Sequence, residues 1–354
     1  MEAGIEGPGQ METVKWKPRL RDRGFDGKLT LRANARGVMA EKSTKVLVHD
    51  DHAHLYRDLL EAVAGITFIV HDRYAGLAEA ARAFEPEVVM NFRFAGNPYP
   101  REAFIDLPSL RWVHVSGSGS DHLAPWDRDR VTVTNCAGFQ AEVMAEYAIG
   151  AILAHNFRFP EFIADRQARR WAEKHVRPAR GGTMLMIGLG PIGQAIARLA
   201  RGIGMRVSGL NRDGRPVEGI ERVFPANALR EAVSGADVVV LAIPLTEESR
   251  GWFDARAIAA MKLDALLINM ARGNIVDEAA LAVALSSNRL RGAVLDVFSS
   301  EPLDPASPLW SLDNAILTPH VSSVWEGWQR AAAEIFVDNL GRYRAGEPLS
   351  NIVD

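Results

Sequence analysis

Met184-Leu-Met-Ile-Gly-Leu-Gly-Pro-Ile-Gly193 is the stretch whose reading decides the fold. Four apolar residues in a row read as a strand buried on both faces. Three glycines follow at once, and a helix then opens at Pro191-Ile192. Gly188 permits a tight turn, Gly190 lets the backbone approach a pyrophosphate, and Gly193 lets the helix pack close to the strand. The helix start offers unpaired N–H groups to phosphate. Strand, glycine turn and helix together predict a dinucleotide-binding unit.

Outward from that turn the chain alternates short apolar runs with helical segments. Downstream strands are expected at Arg206–Leu210, Asp237–Ala242, Ala265–Ile268, Ala293–Leu295 and Ala315–Leu317. Upstream, strands are expected at Lys45–His49, Ile66–Val70, Glu87–Asn91, Trp112–Val115 and Val131–Thr134, and a long amphipathic helix over Gln140–His155. This pattern predicts an α/β protein with two Rossmann-like doubly wound parallel-sheet domains and an active-site cleft between them. The expected substrate domain is 45–141 plus 321–354, and the coenzyme domain is 142–320. Residues 1–44 are rich in glycine and in charges of both signs without period, and read as a disordered leader. Acidic Glu2, Glu6 and Glu12 argue against a mitochondrial transit peptide, and no apolar centre marks a secretory signal.

Composition sets outer limits. The 354 residues are 47% apolar and 24% charged, with a formal net charge of −3. That balance argues against nucleic acid or an anionic membrane as partner, and no apolar run of about 18 residues predicts a membrane span. One cysteine, Cys136, excludes an internal disulfide and fits a reducing, cytoplasmic setting. It reads as a buried small residue, with no basic partner near it in sequence.

The strand after the glycine turn ends in Asn211-Arg212, with Arg215 close behind. A carboxylate at such a strand end binds ribose hydroxyls and repels a 2′-phosphate; these residues attract that phosphate instead. NADP(H) is therefore expected over NAD(H), and the order reverses if Asp213 points at the ribose.

Three residues at strand ends carry the chemistry: Arg272 in Ile268-Asn-Met-Ala-Arg-Gly273, Glu301 in Asp296-Val-Phe-Ser-Ser-Glu-Pro-Leu303, and His320 in Thr318-Pro-His-Val-Ser322. A guanidinium fork holds a carboxylate and a neighbouring ketone together. An imidazole with an unperturbed pKa of about 6.5 donates or accepts a proton near neutrality. An adjacent carboxylate orients the ring and favours its protonated form. The set suits reversible reduction of a 2-oxo acid.

With the glycine turn, these blocks resemble the D-isomer-specific 2-hydroxyacid dehydrogenase family, from about Lys45 to the C-terminus. The resemblance implies an NAD(P)-dependent enzyme making a D-2-hydroxy acid, with Arg272 orienting substrate and the Glu301–His320 pair moving the proton. It implies that Asp296 contacts the nicotinamide amide, that Pro244 and Thr246 lie over the ribose-phosphate, and that the protein is a homodimer through its coenzyme domain. Val115-Ser-Gly-Ser-Gly-Ser-Asp-His-Leu123 resembles the family's substrate loop, placing Ser118 and Gly119 at the substrate carboxylate. Glyoxylate or hydroxypyruvate is the expected substrate class. Larger aliphatic or aromatic 2-oxo acids are the alternative suggested by Phe92, Phe94 and Trp325. A nucleotide-sensing corepressor, with the leader as partner-binding arm, is an alternative of another class. Formate or phosphite oxidation is a smaller one.

Three features stay open on sequence. Arg93, in Asn91-Phe-Arg-Phe94 at the cleft mouth, is either a second anion contact or solvated. Trp325 and Trp328 either wall the substrate site or pack the domain joint. His49-Asp-Asp-His52 with His54 invites a metal, but hydride transfer needs none, so a solvated loop and no metal are expected.

Overall fold

A computed structural model describes residues 43–92 and 100–353. Two parallel sheets organise them. The first contains β1 (Thr44–His49), β2 (Ile66–His71), β3 (Val88–Asn91), β4 (Trp112–Val115) and β5 (Thr132–Thr134), in the order β2-β1-β3-β4-β5. The second contains β6 (Thr183–Ile187), β7 (Arg206–Asn211), β8 (Val223–Pro225), β9 (Val238–Leu241), β10 (Leu266–Asn269), β11 (Gly292–Leu295) and β12 (Ala315–Leu317). Its order is β12-β11-β10-β9-β6-β7-β8. Each sheet reverses its strand order once, between β1 and β3 and between β6 and β9. Such reversals open a crevice beyond the carboxyl ends of the strands, where ligands bind in doubly wound sheets.

Strand periodicity sends successive side chains of β6 to opposite faces. Met184 and Met186 pack with α3 (Ala141–Asn156) and α5 (Pro191–Gly202), while Leu185 and Ile187 join the core on the other face. That second core includes α6 (Leu229–Ser234), α7 (Ala255–Ala260) and α8 (Glu278–Ser286). On the first sheet, α1 (Arg57–Glu61) covers one face and α2 (Leu77–Phe84) the other. The C-terminal α9 (Trp328–Ala345) returns to the first sheet: its Ala332, Ala333, Phe336 and Leu340 share a core with Val46, Val88 and Trp112. Among the described residues no helix is long and apolar enough to cross a membrane.

Two elements escape the sequence reading. β8 is three residues long and ends in proline. α4 (Phe159–Gln167) starts from Arg158 at φ 56° and buries only Asp165; its apolar Phe159, Phe162 and Ile163 face outward and join no core. Of the residues expected as a leader, 1–42 lie outside the described residues, and Thr44 already begins β1.

One local expectation is corrected. The His49–His52 stretch is not wholly a solvated loop: His49 and Asp50 are buried, while Asp51 and His52 are exposed. β1 runs into the interior, and Asp50 accepts the Tyr56 hydroxyl at 2.6 Å and the His52 N–H at 3.0 Å. Cys136 is buried, as expected, and its basic neighbour, His114 Nε2 at 3.3 Å, is near in space but not in sequence. Burial lowers the His114 pKa to about 3 and raises that of the thiol, so the pair is neutral.

Candidate active site

The glycine turn joins β6 to α5. Gly188 has φ 97°, and a Cβ there would overlap the Ala242 carbonyl of the neighbouring strand end. A Cβ on Gly193 would overlap the Gly188 carbonyl oxygen. Gly190, in contrast, faces open space. Two glycines thus permit close backbone packing and the third leaves room above it, which fits a pyrophosphate laid against the start of α5. Pro191 and Ile192 form the first turn of that helix.

At the end of β7, Asn211 Nδ2 donates to the Arg215 carbonyl at 2.8 Å. Arg215 Nε meets Asp213 Oδ2 at 2.7 Å. Arg212 makes no ion pair among the described residues. Pro244 and Thr246 follow β9 in a turn closed on itself: Thr246 N–H donates to Ser249 Oγ at 2.7 Å, and Ser249 Oγ donates to the Pro244 carbonyl at 2.9 Å.

Arg272 follows β10. Asn269 clamps its turn by accepting Ala271 N–H and donating to the Arg272 carbonyl, each at 3.1 Å. The guanidinium donates through Nη1 to the Ala271 carbonyl at 2.8 Å, and through Nη2 and Nε to Asp121 Oδ1 at 3.1 and 3.3 Å. Burial alone would push the Asp121 carboxyl up; Arg272 beside it outweighs that and holds it below the usual carboxylate range.

Asp121 belongs to the loop after β4, so this contact brings Ser118 and Gly119 to Arg272. A Cβ on Gly119 would collide with Arg272 Nη2. The loop is itself tied down. Asn135 Nδ2 donates to the Ser118 carbonyl at 2.7 Å, Ser118 Oγ donates to Gln140 Oε1 at 3.3 Å, and Cys136 N–H donates to the Gly117 carbonyl at 3.0 Å.

His320 Nδ1 lies 2.9 Å from Glu301 Oε2, and both side chains are about three-quarters buried, at 23% and 22% exposure. Glu301 Oε1 accepts Phe298 N–H at 3.2 Å. His320 has φ 56°, a left-handed conformation that costs a non-glycine residue about 1–3 kcal/mol. Asp296, fully buried, lies against this turn. Its Oδ1 accepts Thr318 Oγ1–H at 2.7 Å and Val321 N–H at 2.8 Å, and its Oδ2 accepts Ser322 N–H at 3.0 Å. Tyr147 of α3 reaches Thr318 Oγ1 at 2.6 Å. The sequence reading gave no role to Asp121, Asn269, Thr318 or Tyr147. Their partners are 2 to 171 residues away; Asp121, Asn269 and Thr318 fall inside the blocks quoted above, but nothing in those blocks assigns them a partner.

Arg93 and Phe94 lie outside the described residues. Phe92 does not line a cleft: it is buried against Tyr56 and Trp328, at ring distances of 5.4 and 5.5 Å. Trp328 packs on the core of the first sheet, and Trp325 lies 5.1 Å from Phe139. Asp50, Asp51 and His52 bring potential metal-binding atoms within 4.8 Å of one another, but both Asp50 oxygens already accept hydrogen bonds.

A fold with two doubly wound sheets, a dinucleotide turn and an imidazole–carboxylate pair defines a nicotinamide-dependent oxidoreductase. Residues 149–322 match the family "D-isomer specific 2-hydroxyacid dehydrogenase, NAD binding domain". The chain is 34% identical over 264 residues to a glyoxylate reductase of Thermococcus gammatolerans, covering 72% of this chain and 79% of that protein. A D-isomer-specific 2-hydroxyacid dehydrogenase family protein from Aeromonas salmonicida superposes with a TM-score of 0.78 at 32% identity, covering 88% of this chain and 99% of that one. A family member from Xanthobacter autotrophicus, solved with NADPH and MES, gives 0.71 at 30% identity, with 88% and 98% covered. The chain belongs to the D-isomer-specific 2-hydroxyacid dehydrogenase family.

Proposed function

We propose that the protein reduces a small 2-oxo acid, glyoxylate or hydroxypyruvate, to the D-2-hydroxy acid with NADP(H). The observation that carries this reading is the 2.9 Å His320–Glu301 pair together with Arg272 packed against the Gly119 loop. Arg272 uses Nη1 once toward the Ala271 carbonyl and Nη2 once toward Asp121. One N–H on each nitrogen remains for the substrate's carboxylate and ketone oxygens. Ser118 and Gly119 supply backbone N–H groups to the same carboxylate. The nicotinamide, when bound, supplies hydride to the carbonyl carbon. His320 Nε2, the ring nitrogen away from Glu301, delivers the proton to the alkoxide oxygen, and Glu301 holds the ring by Nδ1. Residues 45–141 with 321–354 act as the substrate domain and 142–320 as the coenzyme domain.

NADP(H) is favoured over NAD(H) by Arg212. Asp213 is engaged by Arg215, which supports the reading that it does not bind ribose. The NADPH in the Xanthobacter relative points the same way, and the name of the Thermococcus glyoxylate reductase supports the substrate class. Phe92 in the core weakens the alternative of a bulky aromatic substrate.

A homodimer through the coenzyme domain is supported by α4 and the segment after it. Phe159 and Ile163 are about half exposed and Trp171 wholly so, an apolar surface that a second copy would cover. Sedimentation of the wild type and of Phe159→Asp/Ile163→Asp tests this: a dimer that becomes monomer supports it, and a wild-type monomer overturns it.

The functional test is oxidation of NADPH and NADH with small and bulky 2-oxo acids. NADPH oxidation with glyoxylate or hydroxypyruvate is expected. Turnover with NADH alone would remove the cofactor assignment. Nucleotide binding without turnover would favour the corepressor alternative.

A further inference from the structure

We infer that Tyr147 is a positioning residue for His320, acting through Thr318 and Asp296. The inference rests on the reaction proposed above for what His320 does, but its geometry stands independently. His320 occupies the left-handed region at φ 56°, which persists in a non-glycine residue only where the surroundings hold it. Here they do so through the two peptide N–H groups that follow it. Val321 and Ser322 donate to the two oxygens of Asp296, at 2.8 and 3.0 Å. That fixes ψ of His320, and with it the direction in which the imidazole leaves the backbone.

The buried Asp296 carboxylate is held in turn. A threonine hydroxyl has one proton, and that of Thr318 goes to Asp296 Oδ1 at 2.7 Å. The 2.6 Å contact between Tyr147 and Thr318 must then carry the tyrosine proton toward Thr318. Burial pushes the Tyr147 phenol up to about 12, so it stays a donor at working pH. The chain of bonds runs one way: Tyr147 to Thr318, Thr318 to Asp296, with Asp296 also holding the two N–H groups after His320. Its anchor is α3, which packs through Met144, Ala145 and Ala148 into the core that holds α5. Thus the helix that supports the cofactor turn also sets the imidazole 2.9 Å from Glu301.

Tyr147→Phe removes one hydroxyl and keeps the ring. With NADPH and glyoxylate its kcat is expected to fall about tenfold, as for loss of a buried hydrogen bond, with KM for NADPH within about twofold. Thr318→Val is expected to lose as much. The double variant should be no worse than either, because members of one chain of bonds fail together. Thr318→Ser, which keeps the hydroxyl, should retain wild-type kcat. A second readout needs no turnover: the imidazole nitrogen resonances of His320 in histidine-labelled protein, identified by their loss in His320→Asn. They should move in Tyr147→Phe and Thr318→Val and stay in Thr318→Ser. Unmoved resonances in Tyr147→Phe, or additive losses in the double variant, overturn the inference. If the wild type reduces no 2-oxo acid, the functional reading falls and the nitrogen resonances alone decide the positioning role.

Discussion

At the carboxyl ends of β11 and β12 the chain is locked; at the carboxyl end of β7 it is open. The first region holds His320 through a fully buried carboxylate with three donors. The second presents Arg212, Asp213 and Arg215 to solvent, organised by one exposed ion pair and two bonds between side chain and backbone. Both regions lie at strand ends of the same sheet. Inside the protein a hydrogen bond is strong and a lost partner is expensive, so geometry is held tightly. At the surface, charges are screened and side chains are mobile, so preference is set by small differences. On the function proposed above, the proton-moving step sits where position must not vary, and nucleotide preference where a single substitution can alter it.

The largest expected effect sharpens this contrast. His320→Asn should lower kcat by about 100- to 10,000-fold, the usual range for a lost general acid. Nucleotide affinity, measured by fluorescence quenching, should hardly change. Equal losses in both would break the separation of the two regions.

Buried histidines should dominate the acid response in the same spirit. Burial, with His71 adding to it, lowers the His49 pKa to about 4, and burial lowers that of His114 to about 3. Each stays neutral in the fold while the unfolded chain binds a proton below about 6.5. Their contribution to stability is therefore complete above that pH and is lost as pH falls toward 4 to 3. Each costs roughly 2 kcal/mol between pH 6.5 and 5. A melting temperature that does not drop from pH 7 to 5 contradicts this.

At the open end, Arg212→Ala should reduce the preference for NADPH over NADH about tenfold through loss of a charge-assisted contact to phosphate, with kcat on NADH preserved. Steady-state kinetics with both nucleotides decide it; an unchanged ratio would move the phosphate contact elsewhere. The smallest effect is expected for Asp213→Asn. Releasing Arg215 and removing a negative charge should raise NADPH preference about threefold, on the scale of an exposed ion pair. A shift toward NADH would mean that Asp213 binds the ribose.

Much of this was legible in sequence because its signals are local. Met184 to Gly193 carries strand, turn and helix in ten residues, and the observed β6 and α5 begin within a residue of their expected starts. Arg272, Glu301 and His320 could each be named from their flanks. What stayed hidden depends on partners far along the chain. Nothing near Tyr147 says that its hydroxyl meets Thr318, 171 residues later. Nothing near Asp121 says that it holds Arg272, 151 residues on. Phe92, in a stretch expected at the cleft mouth, instead packs inward on Trp328. α4 turns its apolar Phe159, Phe162 and Ile163 outward and buries only Asp165, so no core contact explains it.

By itself the sequence determined the fold class, the cofactor turn and the family, because steric and hydrophobic demands within a strand or turn act between near neighbours. Only the tertiary structure decided what surrounds the chemistry: a buried carboxylate under the His320 turn, an ion pair on Arg272, and a tyrosine on a distant helix. Those contacts arise when sheets and helices close on one another. A buried polar group then requires a partner from whichever segment the fold brings beside it.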